Sequence, residues 1–86
     1  MQVTWKPAAV KDGEPRSKIP SAAFAFPKER KEPMTDAAHV RSAIARFRQV
    51  DGVDDRERAA AFANISAAAR YYGVALHAAS WHDLMG

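Results

Sequence analysis

The 86-residue chain carries 13 Lys and Arg against 10 Asp and Glu, a formal net charge of +3, and it has no cysteine. Such a length supports one small domain that must use nearly every apolar side chain to fold, and the missing cysteines remove disulfides, thiolate catalysis and cysteine-ligated zinc. No apolar run is long enough for a signal peptide or a bilayer span, so the expected setting is the cytoplasm, with no membrane partner.

Charge is unevenly placed. Residues 1–34 hold seven Lys and Arg against four Asp and Glu, residues 35–86 hold six of each, and every lysine lies in the first part. Residues 1–20, MQVTWKPAAVKDGEPRSKIP, contain three prolines, one glycine and scattered charges, with too few apolar side chains to form a face. This composition predicts a flexible basic N-terminal arm, dispensable for folding, with the lone Trp5 free to dock on the domain or on a partner. In the segment that follows, Phe24 and Phe26 fit a short strand by their spacing of two, while PSAAFA equally suits a single helical turn begun by Ser21. KERKEPM should be extended, because Glu32 precedes a proline and is kept from right-handed helical dihedrals.

The first helix is expected over about 37–49. Asp36 can cap its free N–H groups and meet the positive end of its dipole. Val40, Ala43, Ile44 and Phe47 recur at helical spacing and make one apolar face, and Met34 can fold back on Val40 as a staple. Asp51 and Gly52 supply the turn. A second helix is expected over about 55–72, opened by an Asp54/Glu57 capping box and closed by Gly73 in a left-handed cap, with Val74 beside it. Its apolar face reads Phe62, Ile65, Ala69 and Tyr72. Seven alanines between 59 and 69 favour the helix while leaving little bulk to separate it from neighbours. Ser80 and Asp83 then frame a short turn at about 80–84 containing Trp81 and Leu84. The predicted fold is a single, mainly α domain over 21–86. It is an antiparallel helical hairpin with short extended segments at its edges, closed over by Leu76, Trp81, Leu84 and the Phe24/Phe26 pair.

The stretch SAAFAFPKERKEPMTDAAHVRSAIARF, followed by ISAAARYYGV, resembles a family of small uncharacterised bacterial and phage or prophage domains. Its members read approximately SAFA-P, then DAAHVRNALARF, then I-AAAKK-GI. Asp36, His39, Val40, Arg41, Ala43 and Arg46 match the pattern, while Ser42 replaces its usual asparagine. The family occurs alone and appended to phage-related proteins, including capsid-maturation proteins. That habit implies assembly or binding rather than catalysis. The resemblance brings no catalytic residue, cofactor or substrate.

The side chains argue the same way. His39 lies in the first turn, three residues after Asp36, where it can order the helix start; a general base would need a nucleophile or acid partner that the sequence does not supply. His77 and His82 are five apart and do not share a helical face as zinc-binding pairs do. The four glycines are far apart, so there is no phosphate-cradling loop. Neither a cofactor nor a metal is implied, and the chain reads as a non-enzymatic module whose partner is another protein. Arg41, Arg46 and Arg48 on the first helix, with Arg70 and Tyr71 at the end of the second, form the candidate binding surface. The same residues with the basic arm supply the alternative, a small nucleic-acid-binding protein that uses arginines on phosphates and tyrosine for stacking.

Overall fold

The computed structural model describes residues 3–10 and 15–86. A short antiparallel hairpin of β1 (Phe24–Phe26) and β2 (Lys31–Pro33) is followed by α1 (Ala37–Arg46), extended by a 3-10 turn over Phe47–Gln49, and by α2 (Asp55–Tyr72). Further 3-10 turns lie at Arg16–Lys18, Ser21–Ala23 and Trp81–Leu84. Both readings of the PSAAFA segment are therefore realised, one after the other.

The helices begin and end where the local chemistry places them. Asp36 caps α1, its Oδ1 accepting from the His39 N–H at 2.8 Å. Asp54 and Glu57 form the reciprocal capping box of α2. Gly73 ends α2 at φ +70, and the Val74 N–H closes the cap on the Ala69 carbonyl at 2.8 Å. Ser80 and Asp83 box the last turn. The Tyr72 hydroxyl donates to the Thr35 carbonyl at 3.1 Å, which brings the end of α2 to the start of α1. A short connection joins the other two ends, so the helix pair runs antiparallel.

The hairpin is more than an edge. All three residues of β1 are buried, and β1 packs on α2 while β2 packs on α1. Phe26, Met34, Val40, Ala43, Phe47, Ala61, Ile65, Ala68 and Ala69 make the core, with the Phe26 and Phe47 ring centroids 5.7 Å apart. The alanines of α2 let the strand approach closely. Leu76, Trp81 and Leu84 close over this core as expected, partly buried. The fold is thus a helix pair with a small two-stranded antiparallel sheet whose first strand is buried against α2 and whose second strand stays partly exposed. Glu32 departs from the extended reading with φ +59, as does Arg30 with φ +53. The proline that follows Glu32 disfavours the right-handed helical region but leaves the left-handed one open.

Phe62 also departs from expectation. The buried face of α2 is Ala61, Asn64, Ile65, Ala68 and Ala69, and Phe62 is only half-buried. Ile65 and Ala69 are buried as expected and Tyr72 packs on the core, but in an alanine-rich helix several phases look equally apolar, and Ala61 and Asn64 take the inward positions beside Phe62.

Part of the predicted arm lies against the domain where the structure describes it; residues 1–2 and 11–14 lie outside the described residues. Trp5 is 7% exposed and belongs to the core. Arg30 ties down the later part of the arm, donating to the Ile19 carbonyl at 2.8 Å, the Arg16 carbonyl at 3.2 Å and the Ser21 hydroxyl at 2.9 Å. Its guanidinium lies 4.7 Å from the centre of the buried Phe24 ring, a cation–π contact that shields that ring.

Candidate interaction surface

Two residues far apart in sequence build the most distinctive site. Asn64, 1% exposed on α2, uses its side-chain amide as a backbone would. Its Oδ1 accepts from the N–H groups of Thr4 and Trp5, both at 2.9 Å. Its Nδ2 donates to the Ala25 carbonyl and the Thr4 hydroxyl, both at 3.1 Å. The Trp5 indole N–H donates to the Met34 carbonyl at 3.2 Å, and the Lys6 N–H to the Ala22 carbonyl at 3.0 Å. Residues 4–6 are thereby strapped across α2 and β1.

Trp5 carries an aromatic cluster at this end of the molecule. Its ring meets Tyr71 and Tyr72 edge-on at centroid distances of 5.7 and 5.9 Å, and the two tyrosines are 4.9 Å apart. Tyr72 is held by its hydroxyl hydrogen bond, and burial, with the neighbouring Tyr71 and Asp36, raises its pKa. Tyr71 is 63% exposed. Nearby, the His39 Nδ1 lies 2.8 Å from Asp36 Oδ1, matching the expected role at the helix start. The His39 N–H and ring together hold the Asp36 carboxyl below its ordinary value. The helix start is therefore stabilised above the ordinary aspartate pKa and loses that support as pH falls through the depressed one.

Arg41, Arg46, Arg48, Arg70 and Tyr71 are all exposed. Among the described residues none of the four arginines takes part in an ion pair; the pairs present are Asp36–His39 and Asp55–Arg58. The five residues do not make one patch. Arg70 and Tyr71 sit where α2 ends and α1 begins, whereas Arg46 and Arg48 lie at the other end of α1, about 15 Å away by helical rise. His82 stacks on Trp81 and His77 is exposed. Among the described residues no three His, Asp or Glu side chains converge as a metal site would require.

Beside the strap opens a cavity of about 180 Å³ lined by Thr4, Phe26, Pro27, Glu29, Ala60 and Asn64, with Glu57 in its wall. Glu29, in the β1–β2 turn, faces the Glu57 carboxyl, whose hydrogen-bonding influence, with partial burial and repulsion between the carboxyls, raises the Glu29 pKa. Glu57 Oε2 is sealed from solvent and has no hydrogen-bond partner among the described residues. Sequence reasoning missed both this pair and Asn64. The available signal for Asn64 was a polar side chain at the helical phase of Ala61, Ile65 and Ala68.

A model of a family of unknown function, DUF6582, matches residues 6–79. The chain belongs to that family. No curated protein and no solved structure matches the chain. The DUF6582 segment contains Met34, Asn64, Tyr71 and Tyr72, which receive the strap, but it begins just after Trp5, which fills the site. No helix among the described residues is long and apolar enough to cross a membrane.

Proposed function

We propose that this domain is a non-enzymatic interaction module that binds another protein through the aromatic end of the helix pair. One observation carries the reading. Tyr71 presents a largely exposed ring that is held edge-on by Trp5 and Tyr72, with the exposed Arg70 next to it. A rigid tyrosine beside an arginine matches the composition of protein-binding hot spots, because little conformational entropy is lost when such a ring is covered. The sequence resemblance to phage-associated domains fits an assembly setting.

The nucleic-acid alternative draws on Arg41, Arg46 and Arg48, which are exposed without an acidic partner among the described residues. Its weakness is the distance of Arg46 and Arg48 from the aromatic end, since stacking and phosphate contacts need to share one track. Photo-cross-linking in the native cell separates the two, with the cross-linker placed at position 71 in one variant and at position 48 in another. A protease-sensitive adduct from position 71 supports the protein-binding reading. A nuclease-sensitive adduct from position 48, lost steeply as salt rises, favours nucleic acid. If position 71 gives no adduct, the protein-binding reading fails.

A further inference from the structure

The strap is bound the way one protein binds another protein's peptide. Three main-chain N–H groups, those of Thr4, Trp5 and Lys6, are read by Asn64 Oδ1 and the Ala22 carbonyl, and one indole is read by the Met34 carbonyl. Main-chain reading with one anchoring side chain is the general chemistry of extended-peptide recognition. Everything that receives the strap lies within the matched DUF6582 segment, whereas Thr4 and Trp5 lie outside it. Beyond Lys6, residues 7, 9 and 10 are exposed, so among residues 3–10 these main-chain and indole contacts fall on residues 4–6. At Thr4 the groove runs on into the cavity beside Phe26 and Ala60, which the strap lines without filling.

We infer that the groove between Asn64 and the Tyr71/Tyr72 pair is a peptide-recognition site, occupied here by the chain's own Thr4–Lys6 segment, for which an extended Thr-Trp segment of a partner protein competes. This rests on the interaction-module reading and names the ligand class of the same end of the domain. The strap then acts as a resident competitor. A tethered segment acts at an effective concentration of about 1 mM. For a groove that binds the free segment with a Kd of roughly 10–100 μM, the tether masks the site about 10- to 100-fold against the same sequence in trans.

The test uses the full chain and a fluorescein-labelled peptide MQVTWKPAAV, with a control peptide in which alanine replaces the tryptophan. Trp5→Ala vacates the groove in the chain. Expected is binding of the tryptophan peptide to this variant at least about tenfold tighter than to the unaltered chain, with no binding of the control. A folded variant that fails to bind, or binds both peptides equally, overturns the inference. If Trp5→Ala does not fold, thermal melts with added peptide decide instead. A cooperative transition restored by the tryptophan peptide alone supports the groove, and no restoration overturns it. Cross-linking from position 71 is read independently, so peptide failure with a protein adduct rejects the groove and keeps the interaction module.

Discussion

Replacing Asn64 by alanine tests the strap most directly, because one side chain holds three backbone groups. The Trp5 N–H and the Ala25 carbonyl are both buried, and each costs about 1–3 kcal/mol if left without a partner. Keeping the strap in place would therefore cost about 2–6 kcal/mol. Releasing it instead returns these groups to water but exposes the Trp5 ring, whose burial contributes about 2–3 kcal/mol, and gives up the indole hydrogen bond to Met34, about 1 kcal/mol. The chain takes the cheaper route, so release caps the expected loss at about 3–4 kcal/mol, reached with a detached strap. Urea unfolding followed by far-ultraviolet circular dichroism measures it, since Trp81 would confuse a fluorescence signal. At roughly 1 kcal/mol per molar urea for so small a domain, the midpoint should drop by about 3 M. The decisive comparison is with Trp5→Ala and the double variant. Both single changes free the same strap, so their effects should fall short of additivity by at least about 1 kcal/mol, beyond the few tenths seen for independent sites. Additive losses would refute the reasoning, showing that Asn64 supports something other than the Thr4–Lys6 segment.

Phe47→Ala should cost about 3–5 kcal/mol in the same assay, whereas half-buried Phe62→Ala should cost no more than about 2; equal losses would contradict the observed phase of α2. Glu29→Gln should raise stability at pH 7 by up to about 1 kcal/mol, because the amide can donate to Glu57 Oε2 without an ionised pair at a solvent-screened site. The pH dependence should change with it. A raised carboxyl pKa favours the folded state below the ordinary value near 4.5 and gives up that contribution as pH rises through the raised value, so melts across this window should be flatter for Glu29→Gln than for the unaltered chain. Gly73→Ala meets no atom within 4 Å, so its cost should be the left-handed backbone alone, about 1–2 kcal/mol, and an unchanged melting temperature would show that the cap had rearranged.

Helix boundaries were legible in the sequence because they are set by short-range chemistry. Asp36, the Asp54/Glu57 box, Gly73 and the Ser80/Asp83 pair each satisfy specific orphan backbone groups within a few residues of themselves. The core contribution of Phe26, Val40 and Phe47 was legible for a related reason, since bulky side chains at regular spacing define a face. The phase of α2 was legible only in part, at Ile65 and Ala69 and not at Phe62. Alanines on several faces leave the periodicity nearly flat, and what turns Asn64 rather than Phe62 inward is a set of long-range partners at Thr4, Trp5 and Ala25. The Glu29/Glu57 contact was hidden likewise, because it joins a strand turn to a helix start that are 28 positions apart in the chain.

The arm shows why average composition misjudges a segment like this one. Prolines and charges over residues 1–20 do lower the mean apolar content below what a folded face requires. A strap, however, needs no face. Three consecutive residues suffice when their N–H groups meet fixed acceptors and one side chain is large enough to fill a pocket. Trp5 supplies that side chain, joining the core cluster with its ring against Tyr71 and Tyr72 of α2. The alanine face of α2 has its own consequence. An alanine surface offers few projecting side chains to fix how a neighbour sits on it, so the alignment of β1 and the strap on α2 falls to directional bonds. Asn64 provides four of them in one amide, bonded on one side to β1 and on the other to the strap. Such a fully satisfied buried amide defines a single arrangement more sharply than apolar contact would. It also sets this amide next to the Trp5 ring that packs on Tyr71 and Tyr72, so the residues that fix the packing of this domain are the ones on which the proposed binding would depend.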